Sequence, residues 1–113
     1  MILFTILVAA AAVTLSAFWN DIKVWMTNTI QKIIKGLKNL FIGGKVFIKK
    51  VKEAFQEIAK LYEQDEKGNW FETTHTKQVN ASEVPEEIRK KARVLHKEVD
   101  ITNELERELQ LVL

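Results

Sequence analysis

No charged side chain occurs before Asp21: the chain opens on "MILFTILVAAAAVTLSAFWN". As a helix, the first nineteen residues reach ~30 Å, the thickness of a bilayer hydrocarbon core. Phe18 and Trp19 close the run, where aromatic rings commonly sit at headgroup level. Two other structures fit the same stretch. A cleaved signal peptide finds small-x-small sites at Thr14–Ser16 and Ala12–Thr14, although no basic side chain precedes the apolar run. A buried core helix is the third, because alanine-rich runs also occur in bundles. The run predicts a transmembrane anchor over residues 1–19. All nearby lysines lie C-terminal to it, which orients the N-terminus outside and the body in the cytoplasm. The alternative location is outside the cell, after cleavage.

The remaining chain is short, and 113 residues support one small domain at most. It has no cysteine, which excludes disulfides, thiolate metal sites and thiol nucleophiles. His75 and His96 are too few and too far apart for a zinc site, so neither metal nor cofactor is expected. The net charge of +2 hides an asymmetry. Between residues 20 and 60, nine lysines face only Asp21, Glu53 and Glu57, whereas acids outnumber bases from residue 61 onward. Such a division suggests different surroundings for the two halves.

From Phe18 to Phe41 the apolar positions are Phe18, Trp19, Ile22, Trp25, Met26, Ile30, Ile33, Ile34, Leu37, Leu40 and Phe41, and steps of three and four dominate. That is one face of a helix. Gly36 weakens it without stopping it, and Gly43–Gly44 serve as the terminator. A second helix is read from Phe47, Val51, Ala54, Ile58 and Leu61, an a/d seam barely two heptads long. Residues 20–62 thus form a basic amphipathic helical hairpin. Its first helix contacts lipid headgroups through Phe18, Trp19, Trp25, Ile33 and Leu40, with Lys35 and Lys38 meeting anionic lipid. The competing arrangement packs the two apolar faces together and leaves the lysines in water. "GGK" is not a phosphate loop, because Asn39 stands where the first glycine is needed and Val46 where Ser or Thr is needed. Nucleic-acid binding is not expected, since the lysines come without arginines or a recognised module.

Residues 63–113 read as a small docking region. Asp65–Asn69 is a polar turn with Gly68 suited to positive φ, and "NWFETTHTKQV" alternates as a strand or half of a hairpin whose partner the sequence does not reveal. Pro85, Glu86 and Glu87 start a helix with Ile88, Ala92, Leu95 and Val99 on its apolar stripe. A last helix starts near Asp100 or Thr102 and carries Leu105, Leu109 and Val112 on a narrow edge. No nucleophile, base and orienting group stand in a recognised pattern, so no enzyme activity and no small-molecule substrate are expected.

Taken together, these features predict a mainly α chain: transmembrane helix, amphipathic helical hairpin, one short strand or hairpin, then two helices. The expected function is that of a small membrane-anchored adaptor or accessory subunit. Its partners are the bilayer and either another protein or further copies of the chain, contacted through Trp70, Phe71, Leu105, Leu109 and Val112. The alternative is a membrane-perturbing, holin-like or toxin-like small protein.

Overall fold

The structure, a computed structural model, describes residues 17–109. Helix α1 (Ala17–Gly36) is followed by three long strands, β1 (Leu40–Val51), β2 (Ala54–Gln64) and β3 (Trp70–Asn80). After a 3-10 turn (Ala81–Glu83) come a short helix α2 (Glu86–Lys91), a three-residue strand β4 (Glu98–Asp100) and helix α3 (Thr102–Leu109). The strands form one antiparallel sheet in the order β3-β2-β1-β4. A mainly α fold is therefore wrong for this chain: the expected second helix is a β-hairpin.

The hairpin explains itself once the alternation is followed. Val46 and Ile48 on β1, with Phe55, Ala59 and Leu61 on β2, all point into the core. Lys45, Phe47, Gln56 and Lys60 point the other way. The register runs without a break from Gly43↔Tyr62 to Val51↔Ala54, across the two-residue turn Lys52–Glu53. Lys52 takes φ 56°, the left-handed backbone that such tight turns use. An a/d seam and a two-residue alternation coexist over residues 47–61. β-Branched and aromatic residues at Val46, Phe47, Ile48, Val51, Phe55 and Ile58 favour the pleated solution. The Gly43–Gly44 pair ends no helix. It lies inside β1, next to a register irregularity between Phe41 and Gly43. A Cβ on Gly44 would sit 2.8 Å from Leu61 Cδ2 and 3.2 Å from Met26 Cε. Glycine there lets α1 settle close onto the sheet.

Helix α1 forms where its stripe predicts, but the stripe has a different destination. Phe18, Trp19, Ile22, Met26 and Ile30 are buried against the sheet, joined by half-buried Trp25 and Ile33. Full burial of each large side chain contributes about 1.5–3 kcal/mol, and the sheet offers it on the spot. The helix ends at Gly36, earlier than Gly43–Gly44, with Leu37 at φ 55°. Asp21 pairs with Lys77 at 2.7 Å and ties the basic first half to β3.

The expected single-pass topology, with the N-terminus outside and a cytoplasmic body, is not supported. Among the described residues, no helix is long and apolar enough to cross a membrane. Ala17–Trp19, read as the end of the anchor, open the helix that packs on the sheet. Residues 1–16 of that run lie outside the described residues.

The strand at residues 70–79 is found where expected, and its missing partner is β2, paired from Ala54↔Asn80 to Gln64↔Trp70. The turn before it is also as expected, with Gly68 at φ 84°. The helix expected to reach Val99 stops at Lys91. Ile88 and Ala92 are buried, but Leu95 is exposed and Val99 belongs to β4 beside Ile48. Asp100 Oδ1 then accepts the Thr102 N–H at 2.8 Å and Thr102 Oγ1 accepts the Val46 N–H at 3.0 Å, which fixes the start of α3 on β1. Salt bridges Lys91–Glu104 (2.6 Å) and Arg107–Glu87 (3.0 Å) join α2 to α3.

Candidate interaction surface

Large exposed apolar side chains are not spread evenly over the molecule. Ile34, Leu37, Leu40, Ile42, Trp70 and Phe71 gather at one end, where α1 finishes, β1 begins, β2 ends and β3 begins. Leu37 is 88% exposed, and Leu40 and Trp70 are each 60% exposed. The sheet register places them at one end but on both faces. Leu40 lies opposite Gln64, which lies opposite Trp70, and the next row, Phe41, Glu63 and Phe71, points to the helix-bearing side. A groove of about 500 Å³ runs between the helix end and these strands, walled by Ile34, Leu37, Leu40 and Phe41 and rimmed by Lys38, Asp65 and Glu66. An apolar patch inside a polar rim is the usual form of a protein contact site.

Two local devices hold this end in shape. The Asn39 side-chain amide donates to Glu63 Oε1 at 2.6 Å, pinning the loop between α1 and β1 onto β2. Asp65 Oδ1 accepts the N–H groups of Lys67 and Asn69, each at 2.9 Å, and its Oδ2 accepts from the Asn69 side chain. Those hydrogen bonds favour the charged carboxylate, so the Asp65 pKa is lowered. Its oxygens are committed to the turn rather than poised for chemistry.

The residues expected at a lipid interface are scattered. Phe18 and Trp19 are in the core, Trp25 is half-buried, and Ile33 packs against the core cluster. Lys35 and Lys38 are exposed, Lys38 on the rim of the groove, and only Leu40 contributes to the apolar end. Of the residues expected to contact a partner, Trp70 and Phe71 belong to this end. Leu105 does not: it is fully buried between α3 and the sheet. Leu109 ends α3, and Val112 lies outside the described residues.

His75 stacks on Trp25, with ring centroids 5.0 Å apart and planes 20° from parallel. That contact links α1, which lies over β1 and β2, to the edge strand β3. One residue that the sequence offers little reason to notice is Glu57. It is 1% exposed, with neither carboxylate oxygen hydrogen-bonded among the described residues. It lies between Ile48 and Lys77 in the register, on the helix-bearing face. Burial raises its pKa to about 7, and the Lys77 charge only partly opposes that. Glu57 is closed off from any substrate. The signal for it is its place in the inward alternation Phe55, Glu57, Ala59, Leu61. Ile34 and Leu37 read in the sequence only as part of the helical stripe, and Ile42 not at all, because the end they form depends on how the chain folds back. Among the described residues, no cluster of His, Asp or Glu is suited to hold a metal ion. Comparison of the chain with family models, with curated proteins and with solved structures matches it to none of them.

Proposed function

We propose that this chain is a non-catalytic interaction module that binds an apolar segment of another protein at its Leu37–Trp70 end. The observation that carries the reading is the concentration of six large exposed apolar side chains at that one end. The end is pre-shaped by the Asn39–Glu63 hydrogen bond and the Asp65 turn, so little ordering cost opposes association. The groove is open, and Leu37 stands clear of its neighbours. Such a surface suits large side chains presented by a partner chain better than a small molecule, which favours enclosure.

The test compares two double variants of the full chain. Leu37→Asp with Leu40→Asp disrupts the apolar end, whereas Val94→Asp with Leu95→Asp changes exposed apolar residues elsewhere. All four positions are exposed, so both variants should keep the wild-type circular dichroism spectrum. The expected result is a stoichiometric partner that co-purifies with the wild type and with the second variant but not with the first. Purified separately, that partner should bind the first variant at least about thirtyfold more weakly, as expected for loss of about 2 kcal/mol at a central contact. Equal binding to both variants would remove the apolar end as the site.

A further inference from the structure

The two edges of the sheet are treated differently. The β4 edge is three residues long. The β3 edge is eleven residues long and exposed along most of its length. An open edge strand offers a row of unpaired N–H and C=O groups, and monomeric proteins usually guard it with proline, a bulge, a short strand or inward charge. β3 has no proline, and its pairing with β2 shows no register shift. Its one lysine, Lys77, is held by Asp21. Trp70, Phe71, Thr73, Thr74, Thr76 and Val79 are all strong strand formers.

We propose that the outer edge of β3 pairs with β3 of a second copy of this chain, antiparallel and centred on His75. Two four-stranded sheets are thereby joined into one continuous sheet around a two-fold axis. This inference shares Trp70 and Phe71 with the Leu37–Trp70 end but needs no partner bound there.

Register selects the centre. Opposite residues in an antiparallel pair point to the same face, so a shift by one residue sets the helix-bearing face of one copy beside the open face of the other. Centring on His75 preserves the faces and is the one alignment that uses the whole strand, from Trp70 opposite Asn80 onward. It then sets Phe71 opposite Val79 and Thr73 opposite Lys77 on the helix-bearing face. On the other face it sets Glu72 opposite Gln78 and Thr74 opposite Thr76. Aromatic–aliphatic and Thr–Thr pairs of this kind are favourable, and no like charges of Asp, Glu or Lys oppose each other. Centring on Thr74 instead sets Phe71 against Lys77 and strands Val79. Centring on Thr76 strands Trp70 and Phe71 and sets His75 against Lys77.

The helices leave room for the pairing. α1 lies over β1 and β2, reaching β3 through Trp25 and Asp21. With strands ~4.8 Å apart, the two α1 axes lie about 20 Å from each other across the two-fold. Packed helices approach to 8–10 Å, so nothing in α1 blocks the junction. Each Trp25 ring, stacked on its own His75, covers the centre of the pair from the helix side.

Cysteine cross-linking tests both the dimer and its register, because the native chain contains no cysteine. In the full chain, His75→Cys should yield a covalent dimer on mild oxidation, and so should Thr74→Cys combined with Thr76→Cys. Thr74→Cys alone should not, since its two copies lie diagonally at about 8 Å, beyond disulfide reach. The double-cysteine variant keeps the Trp25–His75 stack and stands in if His75→Cys disturbs folding. By analytical ultracentrifugation the wild type should show twice the mass of one chain. Thr74→Asp with Thr76→Asp, both on exposed positions, sets like charges opposite and should raise the dimer Kd at least tenfold with an unchanged circular dichroism spectrum. A monomeric wild type, cross-linking by Thr74→Cys alone, or a dimer indifferent to the two aspartates would each overturn the proposal. Leu37→Asp with Leu40→Asp should leave the dimer intact, which separates this result from the partner-binding one.

Discussion

Replacing Glu57 by Gln should change how stability depends on pH more than it changes stability itself. The wild-type carboxyl is 1% exposed, lacks a hydrogen bond among the described residues and has its pKa raised from 4.5 to about 7. Desolvation is the main cause. Lys77, its neighbour across β2 and β3, lowers the value but is itself bonded to Asp21 at 2.7 Å. The sign follows from proton counting. Between the unfolded and folded pKa values, the folded chain holds a proton that the unfolded chain has lost, so stability falls as pH rises through that window. Above the folded value the loss is complete. Since each tenfold change in proton affinity is worth ~1.4 kcal/mol, the loss amounts to about 3 kcal/mol. Glutamine cannot ionise and avoids it, although its amide still lacks partners, a cost independent of pH. Urea titrations of both proteins at pH 5, 6, 7 and 8 should show the variant gaining on the wild type by about 2.5 kcal/mol across the series, because part of the full difference is already lost at pH 5. In thermal melts the same gain corresponds to on the order of 10 °C. Titrations of groups that do not interact with Glu57 cancel in the difference. A constant offset between the two proteins over that range would show that the buried carboxyl is not what the pH dependence reads, and the reasoning would fall.

Gly44→Ala should destabilise the fold by about 1–3 kcal/mol, because the new methyl group meets Leu61 Cδ2 at 2.8 Å and displaces Met26; equilibrium urea unfolding reads it. Leu105→Ala should cost about 2–5 kcal/mol by the same measurement, since the side chain is fully buried, while binding to any partner per folded molecule stays unchanged. Unaltered stability of Leu105→Ala would return that residue to the surface.

What the amino-acid order revealed depended on whether one periodicity or two described a segment. The strand at Trp70–Asn80 and its Asp65–Asn69 turn were readable, because threonine-rich alternation behind a Gly-containing polar turn admits few other structures. The stripe of α1 was equally clear, but a stripe says only that one face is buried, and not whether lipid, a helix or a sheet buries it. Residues 47–61 were ambiguous in kind. Phe47, Val51, Ala54, Ile58 and Leu61 fit a helical seam, yet Val46, Ile48, Phe55, Ala59 and Leu61 fit two strands. The β-branched and aromatic residues of the segment, the close approach allowed by Gly44 and the need of β3 for a neighbour separate the two. For the candidate site, Leu40, Trp70 and Phe71 each stood out for a different reason. Their meeting depends on a register in which Leu40, Gln64 and Trp70 share one row, and pairing of that kind is a property of topology rather than of any local pattern.

The short β4 strand has a consequence for the order in which the molecule assembles. The contacts among β1, β2 and β3 join neighbours in sequence through tight turns, and such local closures are fast and cheap in chain entropy. β4 instead closes a loop of roughly fifty residues when Val99 meets Ile48 and Asp100 meets Phe47. Three register pairs, the Lys50–Leu95 bridge, the His96–Lys50 and Ile101–Val46 hydrogen bonds and the Thr102 contact fasten that return at its start. The meander with α1 is therefore the part able to form first, and β4 with α3 forms a C-terminal clasp that closes last and opens first. Because the clasp carries Ile101 and Leu105 into the core, its opening uncovers the underside of β1 and briefly gives the sheet a second open edge.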